Sequence, residues 1–278
     1  MNGSNEPDQV SISALSGAVA VLGPTFVRLE HPEATDRLTV NGRGGDDVLS
    51  ASTAAMELTL AGGDDTDVLS GGPGDDVLRG GDGFDDARGG AGRDTVRLGG
   101  DFDRFSWAPG DGSDDVDGGA GRDSLFFLGS NDAEAFDLRA AGRGLRLARD
   151  RDGVVVRLAR VEEVDTLAGG GADTFAVGDL SGTDAALVDL SLAPGFGASG
   201  GDGQSDRVTV QGTKHDAVAV IGKVVVAGTA TLTGLPATVN VSHAEGALDA
   251  LAIDARAGDD TVDSSGLAPG TIGLEILD

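Results

Sequence analysis

A nine-residue clock constrains this chain more than any other feature. Residues 62–70 read GGDDTDVLS, 71–79 GGPGDDVLR, 80–88 GGDGFDDAR and 89–97 GGAGRDTVR. Residues 98–106 (LGGDFDRFS) are degenerate, and Trp107 and Ala108 are inserted. Residues 109–117 (PGDGSDDVD) and 118–126 (GGAGRDSLF) then complete a nearly unbroken run. Isolated copies stand at 42–50 (GRGGDDVLS) and 255–263 (ARAGDDTVD), with weaker ones at 168–176 (AGGGADTFA) and 211–219 (QGTKHDAVA). Such a period means that each unit cannot bury a core alone and must stack on its neighbours.

Each position in the unit has a physical reason. The glycines suit a turn with positive φ and close backbone approach, so that carbonyls can point at one spot. The sixth position is carboxylate: Asp47, Asp67, Asp76, Asp85, Asp94, Asp103, Asp114, Asp123, Asp173 and Asp260. The eighth is mostly apolar (Leu49, Leu69, Leu78, Ala87, Val96, Phe105, Val116, Leu125) between polar neighbours, the pattern of a three-residue strand with one side chain inward. Nine residues make one turn and one short strand, and two units close a flattened coil. Aspartates in adjacent coils then come within a few ångströms and repel unless a cation sits between them. Carboxylate and carbonyl oxygens are hard ligands and suit calcium better than magnesium or zinc. The candidate metal-ligating set is Asp47, Asp67, Gly72, Gly74, Asp76, Gly81, Gly83, Asp85, Gly90, Gly92, Asp94, Asp103, Gly112, Asp114, Gly119, Gly121, Asp123 and Asp260.

The unit resembles the hemolysin-type calcium-binding repeat of the RTX proteins, G-G-x-G-x-D-x-U-x. The resemblance implies an all-β chain folded as a parallel β-roll, a right-handed β-solenoid, with several calcium ions held between the turns of successive coils. It implies that Asp67 pairs with Asp85, Asp76 with Asp94, Asp85 with Asp103, Asp94 with Asp114 and Asp103 with Asp123. Departures weaken particular sites: Asp65 replaces a fourth-position glycine, Ala87 is a small inward residue, and Asp101 and Phe102 disturb the turn of the unit at 98. The family also implies a secreted, extracellular protein exported by type I secretion, although its usual C-terminal signal is not evident.

Composition agrees. Asp and Glu number 47 against 20 Lys and Arg, a formal charge of -27, which repels nucleic acid and anionic lipid and attracts cations. With 39% of residues apolar and falling in short regular bursts, the chain is not simply disordered. There is no cysteine, so disulfides and thiolate metal sites are excluded. No N-terminal Sec signal is visible, and no apolar run reaches the length of a membrane span.

A longer repeat overlies the short one. LTVNGRGGDDVLSAS (38–52) returns as LAIDARAGDDTVDSS (251–265), and GPTFVRLEH (23–31) as GLPATVNVSH (234–243). Residues 2–60 thus begin again near 211. The expected organisation is a single elongated solenoid over 1–278, with a calcium-binding block at 42–126, irregular strand-rich coils at 127–210 and a partial second copy at 211–278. The chain reads as a slice of a solenoid. Within the irregular part, RDRDG (149–153) is a turn between strands, and 190–206 a long protruding loop.

Other features weigh less. Arg139, Arg143, Arg146, Arg149, Arg151, Arg157 and Arg160 form the one basic stretch, either a polyanion-binding face or a solvated face pairing with acidic coil edges. GASGG around Ser199 and GFGASG lack the strand–turn–helix setting that their motifs require. His31, His215 and His243 show no metalloprotease spacing, and the first and last sit at matching places in the long repeat. The reading is a non-catalytic calcium-binding repeat protein whose folding is coupled to calcium. The alternatives are an extracellular adhesin or polysaccharide-binding solenoid, and, further off, a β-helix polysaccharide lyase or epimerase. Against the last, tyrosine is absent and Trp107 is the sole tryptophan.

Overall fold

The computed structural model of the protein describes residues 1–15, 18–33, 35–52, 56–213, 218–222, 228–256 and 260–277. They form short β-strands joined by tight turns, with a single 3-10 turn at Arg151–Gly153 and no α-helix among the described residues. The chain divides into two compact units, Met1–Leu125 with Val156–Val161, and Phe126–Val155 with Glu162–Asp278.

In the first unit, parallel strands Arg37–Gly44, Glu57–Asp64, Val77–Asp82, Thr95–Asp101 and Asp115–Gly121 stack in order, and residues 157–159 pair in parallel with 115–117. A second parallel stack holds Gln9–Leu15, Val48–Ala51, Val68–Ser70, Asp86–Arg88 and Arg104–Trp107. The chain alternates between the stacks, one strand per nonapeptide, so two units make a coil. Period-2 alternation then aligns every eighth-position residue with its counterpart one coil away. Val10, Leu49, Leu69, Ala87 and Phe105 form one inward row, and Leu60, Leu78, Val96, Val116 and Leu158 the other. All ten are buried. Each large member contributes about 1.5–3 kcal/mol by leaving water. The all-β β-roll expected from the repeat is the observed fold.

The second unit uses the same logic with fewer glycines. Ala135–Ala141, Thr174–Val177, Arg207–Gln211, Ala250–Asp254 and Gly273–Leu277 are parallel, with Gly144–Arg149 antiparallel on the first. Glu163–Leu167, Leu187–Ser191 and Thr238–Ser242 form the other parallel set. Phe136 stacks on Phe175 with ring centroids 4.6 Å apart, and Phe127 meets Phe136 edge-on at 6.0 Å. Aromatic rings thus fill the core where the coils are irregular.

The long repeat folds alike in its two copies. Gln9–Leu15, Ala18–Leu22 and Val27–Glu30 make an antiparallel meander in the first unit, as do Val218–Gly222, Ala230–Thr233 and Thr238–Ser242 in the second. His31 (φ 52°) and His243 (φ 63°) both take left-handed backbone at the equivalent corner. These two histidines serve turns; His215 lies outside the described residues.

Candidate metal centre

The turns show why the repeat is so rich in glycine. Coils stack with their backbones in contact: a Cβ on Gly81 would lie 1.9 Å from the Gly63 carbonyl oxygen, and one on Gly121 1.4 Å from that of Asp101. Gly83, Gly90, Gly92, Gly112 and Gly119 meet the carbonyls of Asp65, Gly72, Gly74, Gly92 and Gly99 in the same way. Any side chain there would force the coils apart. The first-position glycine has another task, because a Cβ on Gly62 would sit 2.0 Å from Oδ2 of Asp67, and one on Gly80 2.2 Å from Oδ2 of Asp85. It clears room for one carboxylate oxygen of its own unit.

That oxygen is the centre of the site. Along one edge of the first unit, the N–H of Asp8 donates to Oδ1 of Asp47 (2.7 Å), Asp47 to Asp67 (2.8 Å), Asp67 to Asp85 (2.9 Å), Asp85 to Asp103 (2.8 Å) and Asp103 to Asp123 (2.9 Å). Along the other edge Leu58 donates to Asp76, Asp76 to Asp94 and Asp94 to Asp114, at 2.8 to 3.0 Å. The coil-to-coil pairing implied by the family resemblance is therefore present, but it is asymmetric. Oδ1 of each aspartate accepts a peptide N–H of the preceding coil, which leaves Oδ2 as the remaining carboxylate oxygen. In Asp47, Asp67, Asp85, Asp94, Asp103 and Asp114 that Oδ2 is buried and accepts no hydrogen bond from the protein. The residues are at most 2% exposed.

Buried oxygens without donors are costly in the charged form. Burial, reinforced by the neighbouring carboxylates, pushes Asp67, Asp85 and Asp103 up to about 7. Asp94, flanked by Asp114 and Asp76, rises to about 8, and Asp114 to about 6. Asp47 rises for the same reason. A donor set of buried carboxylate oxygens beside backbone carbonyls, with no nitrogen or sulfur, fits a hard divalent cation, and calcium in particular. Several arginines of this unit pair with carboxylates outside the ladders. Arg88 pairs with Asp111, Arg93 with Asp115 and Arg104 with Asp86, on the flanks.

A family model described as RTX calcium-binding nonapeptide repeat (4 copies) matches residues 59–87, 70–105 and 110–132. Over these residues the chain carries RTX-type calcium-binding nonapeptide repeats. No curated protein matches it. The matched residues cover the run in which the orphaned Oδ2 atoms are concentrated, and calcium is the ion that RTX repeats bind.

Not every candidate residue is alike. Both oxygens of Asp76 are occupied, since Gly72 of its own turn donates to Oδ2 at 2.7 Å. Gly74 contributes its carbonyl to the contact with Gly92. Asp123 occupies the last described rung of its edge at 1% exposure. Asp260 is half-buried beside 257–259, and those three residues of its unit lie outside the described residues. So does Asp216 of the weak unit at 211–219.

The structure adds carboxylates that the repeat pattern misses. Asp8 is a sixth-position residue in a turn that keeps only its first-position glycine, Gly3, and it is held by the N–H (2.7 Å) and hydroxyl (3.2 Å) of Ser4. In the second unit Glu134 donates its N–H to Asp173 Oδ1 (2.8 Å), Asp173 to Asp206 (2.7 Å) and Asp206 to Asp249 (2.9 Å). The irregular coils of 127–210 therefore continue the ladder of turns. The segment read as a protruding loop ends in one of its rungs, at Asp206. The common signal is a carboxylate two residues before a buried apolar one: Asp8 and Val10, Glu134 and Phe136, Asp206 and Val208, Asp249 and Leu251.

Five arginines of the basic stretch pair with carboxylates, while Arg143 is exposed and Arg146 half-buried. In the second unit Arg149 is buried on Glu134, Arg139 pairs with Asp137 and Arg151 with Asp132. In the first unit Arg157 pairs with Asp115 and Arg160 with Asp117. Coil stacking brings Arg157 and Arg160 onto their acidic partners, while Arg139 meets Asp137 of its own strand and Arg149 meets Glu134 across the local hairpin.

Proposed function

We propose that calcium binding by these RTX repeats is coupled to folding of the chain, with Asp47, Asp67, Asp85, Asp94, Asp103, Asp114 and Asp123 as carboxylate ligands and the turn carbonyls of the glycine positions as their partners. The observation that carries this reading is the row of buried Oδ2 atoms without donors. Without a cation, each ionised rung places an unpaired charge out of water, which opposes the coil. With calcium, the same charge becomes the binding energy, and affinity for the ion becomes folding free energy. At 100 times its Kd, each independent site adds about 2.7 kcal/mol.

Such a chain is extended where calcium is scarce and folds where it is plentiful, which suits a secreted repeat protein. RTX repeats are typical of secreted proteins, and among the described residues no helix is long and apolar enough to cross a membrane. The role proposed is structural: a calcium-set β-roll rather than a catalyst.

Far-UV circular dichroism during a calcium titration from chelator tests the coupling. A cooperative gain of β-signal, not reproduced by magnesium, is the expected result. A spectrum already β-rich in chelator and unmoved by calcium overturns it.

A further inference from the structure

In the second unit, the outward face of the parallel set Glu163–Leu167, Leu187–Ser191 and Thr238–Ser242 carries a cleft of about 470 Å³, a size typical of small-ligand sites. We propose that this cleft binds an uncharged sugar residue of a glycan, with Phe126 and Phe196 as its apolar wall and Asp189 and Asn240 as its principal polar contacts. The site uses none of the carboxylates of the turn ladders and does not rest on the calcium reading.

Strand register sets the floor. Asp165 stands opposite Asp189, Asp189 opposite Asn240, and Asn240 opposite Thr231. All four are half-buried, whereas Val164, Val188 and Val239 beside them are buried in the core. Period-2 alternation therefore points the polar row out of the solenoid and into the cleft. Ser191 and Ser242, opposite each other two residues along, make a second row. Nδ1 of His243 lies 3.0 Å from the first hydroxyl and 3.1 Å from the second. Nδ2 of Asn240 donates to Oδ1 of Asp189, which holds the two side chains next to each other. A strand spacing of about 4.8 Å sets these donors and acceptors on a grid that hydroxyls around one pyranose ring can match.

The wall comes from the segment 190–206. Ala198 donates its N–H to the Gly195 carbonyl at 3.3 Å, and Gly197 is left-handed (φ 75°), so the chain folds back in a tight turn. A Cβ on Gly195 or Gly197 would meet nothing within 4 Å, in contrast to the glycines packed between coils. The turn lays Phe196 beside Phe126, with ring centroids 5.4 Å apart and the planes at 27°. Phe196 is nevertheless 76% exposed. A ring placed by stacking yet mostly in water offers its surface to the polarised C–H groups of a sugar, which an aromatic face attracts. Charge then selects among ligands. Asp165 and Asp189 bring carboxylate oxygens within 4.8 Å of each other and of Glu163, and no lysine or arginine lines the cleft among the described residues. An acidic sugar is repelled there. A quaternary ammonium would use acceptors alone, whereas Asn240, Thr231, Ser191 and Ser242 also supply donors, which a polyol can use.

Amide NMR of the full chain in saturating calcium tests the cleft, with the methyl glycosides of glucose, galactose, mannose and N-acetylglucosamine as probes. At least one is expected to shift the backbone amides of Gly195 to Ala198 and the side-chain amide of Asn240. A Kd of about 1–10 mM is expected for so small a ligand. Phe196→Ala and Asn240→Ala are each expected to weaken that binding about tenfold or more. If Asn240→Ala fails to fold, Phe196→Ala, at an exposed turn, decides alone. Methyl glucuronide is expected to leave the same amides in place. Amides that stay still with all four glycosides at about 50 mM overturn the site, and so does a Phe196→Ala chain that titrates like wild type. Equal shifts with methyl glucuronide overturn the selection for an uncharged sugar. Shifts with choline chloride and with none of the glycosides make the cleft an ammonium site and overturn the assignment to a glycan.

Discussion

Asp85 shows how one residue can oppose the fold and make its ligand indispensable. Its Oδ1 holds the Asp67 peptide of the preceding coil, while its Oδ2 is buried beside Gly80 with no donor. Asp85→Asn keeps an oxygen for the peptide and replaces the other by an uncharged amide. The substitution is expected to act with opposite signs in the two conditions. In chelator it removes a buried charge and stabilises the metal-free chain, by about 1 kcal/mol or more, since a desolvated charge costs more than a desolvated amide. In calcium it removes a ligand and lowers both the affinity and the melting temperature. Thermal denaturation of both proteins, with and without calcium, checks this, and a loss of stability in chelator as large as that in calcium contradicts it.

Among elements, the turn is the unit that varies, and its variants solve one electrostatic problem in different ways. Ser4 satisfies Asp8, Gly72 satisfies Asp76, and Arg149 neutralises Glu134. Arg149→Met leaves Glu134 charged at 0% exposure, and breaking a buried pair of this kind costs about 3–5 kcal/mol. The double variant Arg149→Met, Glu134→Gln is expected to recover most of that loss, because it removes both buried charges. Urea unfolding in saturating calcium measures both. The same variety explains what the sequence disclosed. The glycine turns at 62–126 announce themselves, since backbone contact between coils admits no side chain at those positions. The turns of Asp8, Glu134, Asp206 and Asp249 do not, because each keeps only part of the glycine pattern, Gly3, Gly129, Gly201 with Gly203, and Gly246, with other residue types at the remaining positions. Their carboxylates stayed invisible until the ladder of hydrogen bonds joined them. The arginine stretch left two readings open because its partners Asp115 and Asp117 are distant in sequence and adjacent only through coil register; the pairs at Arg157 and Arg160 agree with the reading in which it faces acidic coil edges.

For the whole molecule, the raised acids predict how proton and calcium compete. A carboxyl whose folded pKa exceeds its unfolded value near 4 adds no penalty below about pH 4. As pH climbs, the unfolded chain releases its protons first, so stability falls and goes on falling through the folded values of about 6 to 8. Metal-free protein is therefore expected to gain β-structure on acidification from pH 8 towards pH 5, where the formal charge of -27 is also partly titrated away. Over the same range the calcium midpoint moves to higher concentration, because protons occupy the ligand oxygens. Circular dichroism in chelator across pH, paired with calcium titrations at pH 6 and pH 8, checks both. A metal-free chain more ordered at pH 8 than at pH 5 contradicts the assignment of these oxygens.

The alternation of strands between two stacks also sets the grain at which such a chain can change length. Removing 71–88 would join Ser70 to Gly89 and drop one whole coil, keeping every remaining inward residue in its row and both edges in register. Removing nine residues instead would send each later strand to the opposite stack and trade one ladder for the other. The coils in which Asp67 follows Asp47 and Asp114 follows Asp94 at 20 residues, against 18 from Asp67 to Asp85, show that a small surplus can be taken up within a coil. A duplication or deletion that keeps both ladders in register therefore spans an even number of nonapeptides, with a surplus of a residue or two absorbed within a coil.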